Sequence, residues 1–484
     1  MPYVSLPGSV QLYYELHTTP SSSNTPKPGL VLLSPAFLNT QLLLDTYVEA
    51  FRDDYDICTL ELRAHGRSKC PAMPFDFWAM AADVAYAMES LHLAPAHIFA
   101  AGCVPFQTSV KLALLFPNLV LSLTLAGAPT LFSAPRQVEA FQEITRVWTS
   151  PADEDEWVDV IGGIGEFLLG EQHRYENAVE LWDQVLPAVA RKYNPWTARQ
   201  VYMACVPNHR NPLLTPELLA TIQHPILFFT GDNDFCFNVD DVQEDSKHFT
   251  GAKEMEFHRV EGGPHLLGIT HASTVIPLMQ PFLARNSPSS PQPFTPPDAL
   301  AGLRIAASIA QDPKVANRNA HHPDSFSLLT QKQKDDFRAK NAAMEEIEKT
   351  CELVLPMCFE REDWEPPKLD EDGVERRWTW STREDYYSHP SSPLSHPRSS
   401  VSGQGGGRPL STFSLQDSVT VEVATSEQTH EQPAAGKAGG GLLEGLPPRL
   451  PAKESRVEVR GARSDALPPL PPVPASPRVG IAGQ

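Results

Sequence analysis

Cys103 stands between a short apolar run, His97–Ala101 (HIFAA), and the stretch Val104–Phe116, whose apolar residues recur at helical spacing. A sulfur at that junction is placed for acyl chemistry. A nucleophile presented on a sharp turn between a buried strand and a helix needs small neighbours, because the turn is crowded, and Ala101 and Gly102 supply them. Val104-Pro105 marks the start of the helix, since proline in a first turn removes no helical hydrogen bond. The positive end of the helix dipole is then aimed at the sulfur, which favours thiolate over thiol. Such a thiolate requires a base, and the base an orienting acid. The competing reading of Cys103 is a small buried residue, which is how most free cysteines behave and how the other six of the seven are read. They are scattered without paired rhythm, their odd number argues against a secreted disulfide framework, and no CxxC pair points to zinc.

The elements that must position this sulfur follow from periodicity. Tyr3–Leu16 alternates apolar and polar residues around Pro7-Gly8, which predicts a hairpin at a sheet edge. Gly29–Ser34, Asp56–Leu62, His97–Ala101, Leu121–Ala126 and Pro225–Thr230 are nearly continuous apolar runs, as strands buried on both faces are. Phe75–Leu91 and Val104–Phe116 carry 3.6-residue periodicity. The alternation predicts an α/β fold, a mainly parallel central sheet with helices on both faces. Between Leu125 and Ile226 the rhythm gives way to helix formers with Trp148, Trp157, Trp182 and Trp196. This predicts an inserted helical cap, whose aromatic residues either line a pocket or simply pack it down. Lys253–Val260 then reads as a last strand and Ala272–Leu283 as a closing helix.

HIFAAGCVPFQTSVKLALLFPNLVLSLTLAGAP resembles the nucleophile-bearing strand, helix and following strand of the α/β-hydrolase superfamily. On that match Cys103 takes the place of serine in G-x-S-x-G, with Ala101 and Pro105 in place of the glycines, and Ala113, Pro117 and Leu123 fall where the pattern expects them. LELRAHGRSKCP, Leu60–Pro71, is similar to the family's D-x-R-G-x-G-x-S loop, which implies a structural role for Arg63, His65 and Ser68. After PILFFT comes Gly231-Asp-Asn-Asp234, and the family's acid stands last in that turn, which implies Asp234 over Asp232. Val260-Glu-Gly-Gly-Pro-His265 resembles the family's histidine loop and implies His265 as base. The oxyanion hole implied is the backbone N–H of Val104 with that of Ala36, or of Phe37, in Ser34-Pro35-Ala36-Phe37. The resemblance is closest in style to fungal hydrolases of secondary-metabolite clusters, such as those making host-selective toxins, and VLLSPAFLNTQLL shares their lack of His-Gly. It implies esterase, thioesterase or acyltransferase chemistry on a polyketide-like acyl group, without a cofactor or metal. The rival class is a non-catalytic hydrolase-fold protein that binds a small ligand or a partner.

The expected organisation is hydrolase core over 1–130 and 221–286, cap over 131–220, linker over 287–328, partly helical extension over 329–390 and disordered tail over 391–484. Proline crowding toward the C-terminal end and SPSSPQPFTPP after Asn286 carry the linker and tail assignments. Within the tail, PPLPPVP at 468–474 is a candidate ligand for proline-binding modules. A formal charge of −20 opposes binding to nucleic acid or an anionic membrane and leaves a small acyl substrate as the expected partner. Asp53-Asp54 and Asp153–Glu156 read as solvated faces. With no signal-like N-terminus, no apolar run of membrane-spanning length and no peroxisomal tripeptide in Ala482-Gly483-Gln484, the expected location is cytoplasmic.

Overall fold

The computed structural model describes residues 2–18, 27–131, 135–171, 178–210, 213–290, 292–353 and 355. The extension past 355, the tail 391–484 and its proline-rich segment lie outside the described residues.

The expected hairpin is present: β1 (Tyr3–Leu6) and β2 (Val10–His17) pair antiparallel across a turn in which Gly8 and Ser9 both take positive φ. That turn matches the right-handed twist of the strands it joins. β3 (Gly29–Leu33) leads through α1 (Gln41–Leu43), a π-turn at Leu44–Val48 and α2 (Glu49–Phe51) into β4 (Asp56–Leu60). α3 (Phe77–Ser90) starts where Asp76 accepts the Ala79 N–H at 3.0 Å. β5 (Ala96–Ala101), α4 (Cys103–Leu115) and β6 (Val120–Ala126) follow. Helices α5 (Pro135–Thr149), α6 (Glu154–Leu169), α7 (Ala178–Lys192), α8 (Ala198–Cys205) and α9 (Pro216–Leu219) intervene before β7 (Ile226–Gly231). α10 (Val239–Ser246), β8 (Met255–Val260), α11 (Leu267–Thr270) and α12 (Ala272–Asn286) complete the sheet and its cover.

The eight strands run in the order β1-β2-β4-β3-β5-β6-β7-β8, parallel from β4 through β8. This is the strand order of an α/β-hydrolase fold. Successive residues of a strand face opposite sides, and here both sides are apolar. Val31, Leu33, Ile98 and Ala100 face the layer holding α3 and α4, while Leu30, Leu32, Phe99 and Ala101 face α12. Both faces being covered is why these strands read as continuous apolar runs rather than alternating ones.

Trp148 and Trp157 are fully buried, and the Trp148 indole donates to the Tyr193 carbonyl at 2.8 Å. Phe37 meets both Trp148 and Tyr193, so the insertion's aromatic residues pack it onto the loop after β3. No helix among the described residues is long and apolar enough to cross a membrane.

The stretch 287–328 is not the linker expected from its prolines. α13 (Ala299–Ala310) buries Leu303 and Ala306, and Gly302 lets it approach the end of α4 so closely that a Cβ would stand 3.2 Å from the Leu115 carbonyl. A short turn at Pro323–Phe326 then inserts Phe326 against Tyr86 and Phe116. The polar reason is Arg63, fully buried, whose guanidinium binds Asp83 through two bonds of 2.7 Å and Asp324 at 2.6 Å. α14 (Gln331–Thr350), capped by Thr330 and Gln333, lays Phe337 against Tyr202 and Glu348 against Arg199. The described residues around these prolines, 287–290 and 292–297, are irregular, but the apolar face of Ala299–Ala310 beyond them belongs to the core.

Candidate active site

β5 ends at Ala101, and the chain turns at Gly102, whose φ of 87° and ψ of 178° suit glycine and few other residues. The Gly102 N–H still belongs to the sheet, donating to Ala126 at 2.7 Å, while its carbonyl accepts from Phe106 and opens α4. Cys103 is therefore the first helical residue, with ordinary helical backbone, and the strained apex lies one residue earlier than the sequence places it. Pro105 falls in the first turn, where N–H groups have no helical acceptor, and α4 runs through it unbroken.

Asp234 lies in the turn after β7. Its carboxylate is buried: Oδ1 accepts the Cys236 and Phe237 N–H groups at 3.0 and 3.2 Å, and Oδ2 meets His265 Nδ1 at 2.8 Å. Asp232, the other acid of that turn, accepts the Gly262 N–H at 2.7 Å and so ties the histidine loop rather than the imidazole. The loops of Asp234 and His265 approach backbone to backbone, with Asn233 N–H donating to Gly263 at 3.1 Å. Glycine at 231 is what permits this, since a Cβ there would stand 1.8 Å from the Gly263 carbonyl oxygen. Phe167 of α6 stacks on the His265 ring at 4.6 Å, and Leu266 N–H donates to Leu168, so α6 holds the histidine from above. Nothing in the sequence pattern singled out Phe167.

His265 faces Cys103. Burial alone would hold the ring neutral, but the Asp234 carboxylate and the Cys103 thiol outweigh it and push its pKa up to about 10. Nε2 also lies 3.0 Å from the Cys103 backbone N–H. That contact needs a lone pair on Nε2 and belongs to the neutral ring with its proton on Nδ1. A Cβ on Gly102 would lie 3.3 Å from the same nitrogen, so the apex position and the cysteine both address the base.

Burial acts on the other described cysteines. Burial pushes the Cys58 and Cys205 thiols up to about 12 and Cys70 to about 11, and Cys236 and Cys351 are also raised, chiefly by burial. None of them holds a thiolate near neutral pH.

Of the two oxyanion donors left open after β3, Phe37 is engaged, its N–H donating to His65 Nδ1 at 3.1 Å. Ala36 and Val104 are buried beside it and at the start of α4. Arg63, His65 and Ser68 serve the framework: Ser68 Oγ donates to the Glu61 carbonyl at 2.6 Å and accepts the Tyr13 N–H.

A small cavity opens beside the sulfur, walled by Cys103, Gln107, Phe141, Asn208, Arg210 and Phe237 among others. Gln107 and Lys111 follow Cys103 at four-residue steps along α4, and these polar residues in CVPFQTSVKLALL were a signal available in the sequence. Arg210 gave none.

No family model matches the chain, and no curated protein does. Among solved structures it is similar to the N-acyl homoserine lactone degrading enzyme Est816, with 20% identity over 58% of this chain and 100% of that one, TM-score 0.47. It is also similar to a thermophilic esterase from Thermogutta terrifontis, at 15% identity over 59% and 97% with TM-score 0.49, and to an enol-lactonase from Burkholderia xenovorans LB400, at 17% over 58% and 100% with TM-score 0.47.

Proposed function

We propose that this protein is an acyl-transfer hydrolase that opens an ester or thioester through Cys103, His265 and Asp234. The observation that carries the reading is the buried His265–Asp234 pair, with the imidazole Nε2 against the backbone of Cys103 and Cys103 on a cavity wall. His265 takes the thiol proton, and the sulfur adds to the acyl carbonyl, whose oxyanion faces the N–H groups of Val104 and Ala36. As the acyl–oxygen or acyl–sulfur bond breaks, His265 returns the proton to the leaving group. Water, deprotonated by the same imidazole, then cleaves the enzyme thioester, releasing the acid and restoring the thiol. On the fungal resemblance the acyl group is polyketide-like. A second reading, a ligand-binding protein on a hydrolase framework, is favoured by one observation: the apex of the turn, where a Cβ would face Nε2, is glycine.

The two readings separate on thiol reactivity. Intact-mass labelling of the full chain with iodoacetamide from pH 5 to 9 is expected to modify one site rapidly below pH 7.5. That site vanishes in Cys103→Ser and slows about 100-fold in His265→Ala. Labelling of Cys103 no faster than glutathione overturns the catalytic reading and leaves ligand binding.

A further inference from the structure

The cavity beside Cys103 is cationic in a chain that is acidic overall. Arg210 lines it, half-buried, with one long contact of 3.4 Å to the Phe75 carbonyl and no carboxylate within ion-pair distance among the described residues. Beneath the cavity floor Lys111 is fully buried, its ammonium donating to Gln107 Oε1 at 2.7 Å and lying over the Phe77 and Trp78 rings. That bond fixes the Gln107 amide. With Oε1 held by the ammonium, the NH2 group is the end left for the cavity. Asp76 is the buried acid whose field reaches both cations, but its carboxylate already accepts from Ala79, Leu328 and Ser327. Asp336, whose field also reaches Arg210, is exposed on α14. Burial pushes Lys111 down to about 7 and Arg210 below its ordinary value, as it does for cations that lack a close counter-charge. Phe77, Phe141 and Phe237 make the remaining wall apolar.

We propose that this cavity takes a free carboxylate of the acyl substrate, bound by Arg210 and the Gln107 amide. This rests on Cys103 being the nucleophile. Gln107 stands one helical turn from Cys103, about 6 Å along the axis, so a few methylenes join the carboxylate to the reacting carbonyl. The substrate class is the half-ester or half-thioester of a short dicarboxylic acid. Arginine suits the role because its planar fork matches a carboxylate and keeps its charge when buried.

Iodoacetate and iodoacetamide form the same C–S bond with loss of iodide and differ in carrying a carboxylate or an amide. On the full chain, the iodoacetate to iodoacetamide rate ratio at Cys103 is expected to exceed that of glutathione by about tenfold or more. Arg210→Gln removes most of that excess, and Arg210→Lys, which keeps the charge, retains part of it. A wild-type ratio no higher than that of glutathione, or one that Arg210→Gln leaves unaltered, overturns the assignment. Calorimetry with glutarate and neutral glutaramide on the Cys103→Ser protein reads the carboxylate site without the thiol. Preference for glutarate supports the site even where Cys103 proves inert, and equal binding or none refutes it. Failure of the nucleophile and failure of the carboxylate site are thereby told apart.

Discussion

Replacing Asp324 by alanine removes one of three charge-assisted bonds to a guanidinium that has no access to water. Arg63 keeps its paired bonds to Asp83, so the charge stays compensated and the loss is that of one bond, about 1.5–3 kcal/mol. Repulsion between the two carboxylates, which raises the Asp83 pKa after the larger effect of its burial, is relieved at the same time. The net loss expected is therefore about 2 kcal/mol. Asp324→Asn keeps a neutral acceptor and is expected to lose about 1 kcal/mol. Asp83→Ala strips both paired bonds and leaves a buried cation against a single acid, at about 3–5 kcal/mol. Urea unfolding followed by fluorescence of the buried Trp148 and Trp157 measures the series. With a slope of about 3 kcal/mol per molar, Asp324→Ala moves the midpoint down by about 0.7 M. Because the lost bond anchors the turn at Pro323–Phe326, cleavage by a protease between 292 and 328 should quicken as well. A midpoint unchanged by Asp324→Ala, or lowered more than by Asp83→Ala, refutes the account of why this stretch folds onto the core.

Burial pushes His65 and His209 down to about 3 and His97 to about 4. Each is neutral in the fold but gains a proton in the unfolded chain below about 6.5. Their stabilisation is thus complete above that pH and is lost as pH falls toward the folded values, by about 2 kcal/mol per group at pH 5. Urea midpoints should fall steadily between pH 7 and 5, and a flat profile contradicts this. Gly127→Ala sets a Cβ 1.9 Å from the His265 carbonyl oxygen at a φ of 73°. It should displace the histidine and cut rapid labelling of Cys103 about 100-fold while the circular dichroism persists; a wild-type rate would sink the idea. Asp234→Asn withdraws the carboxylate that favours the imidazolium. Ester turnover should drop by about 10³–10⁴ and Cys103 labelling should move to higher pH, and an unchanged pH profile argues against the pairing.

Periodicity carried most of the sheet into view. A strand buried on both faces is apolar at most positions, so β3 through β7 announce themselves, and a helix that starts at a proline needs no tertiary partner to do so. The chain order of Cys103, Asp234 and His265 is likewise written in local turns, because each residue stands at a strand end. Three things escaped because they depend on what comes near in space. Gly102 rather than Cys103 occupies the apex, since where the backbone leaves the sheet is fixed by its bond to Ala126 in the neighbouring strand. The stretch 299–328 joins the core because Arg63 needs a second acid and Leu303 a place to bury, neither of which local composition reveals. Arg210 reaches the cavity from the end of the helical insertion, more than a hundred residues from Cys103. The sequence by itself determined the layers, the strand ends and the chemical types placed on them, all set by short-range sterics and hydrophobic pattern. Only the tertiary structure decided which polar and charged side chains share a cavity with Cys103 and which residue stands at the turn, because both are settled by contacts between segments remote along the chain.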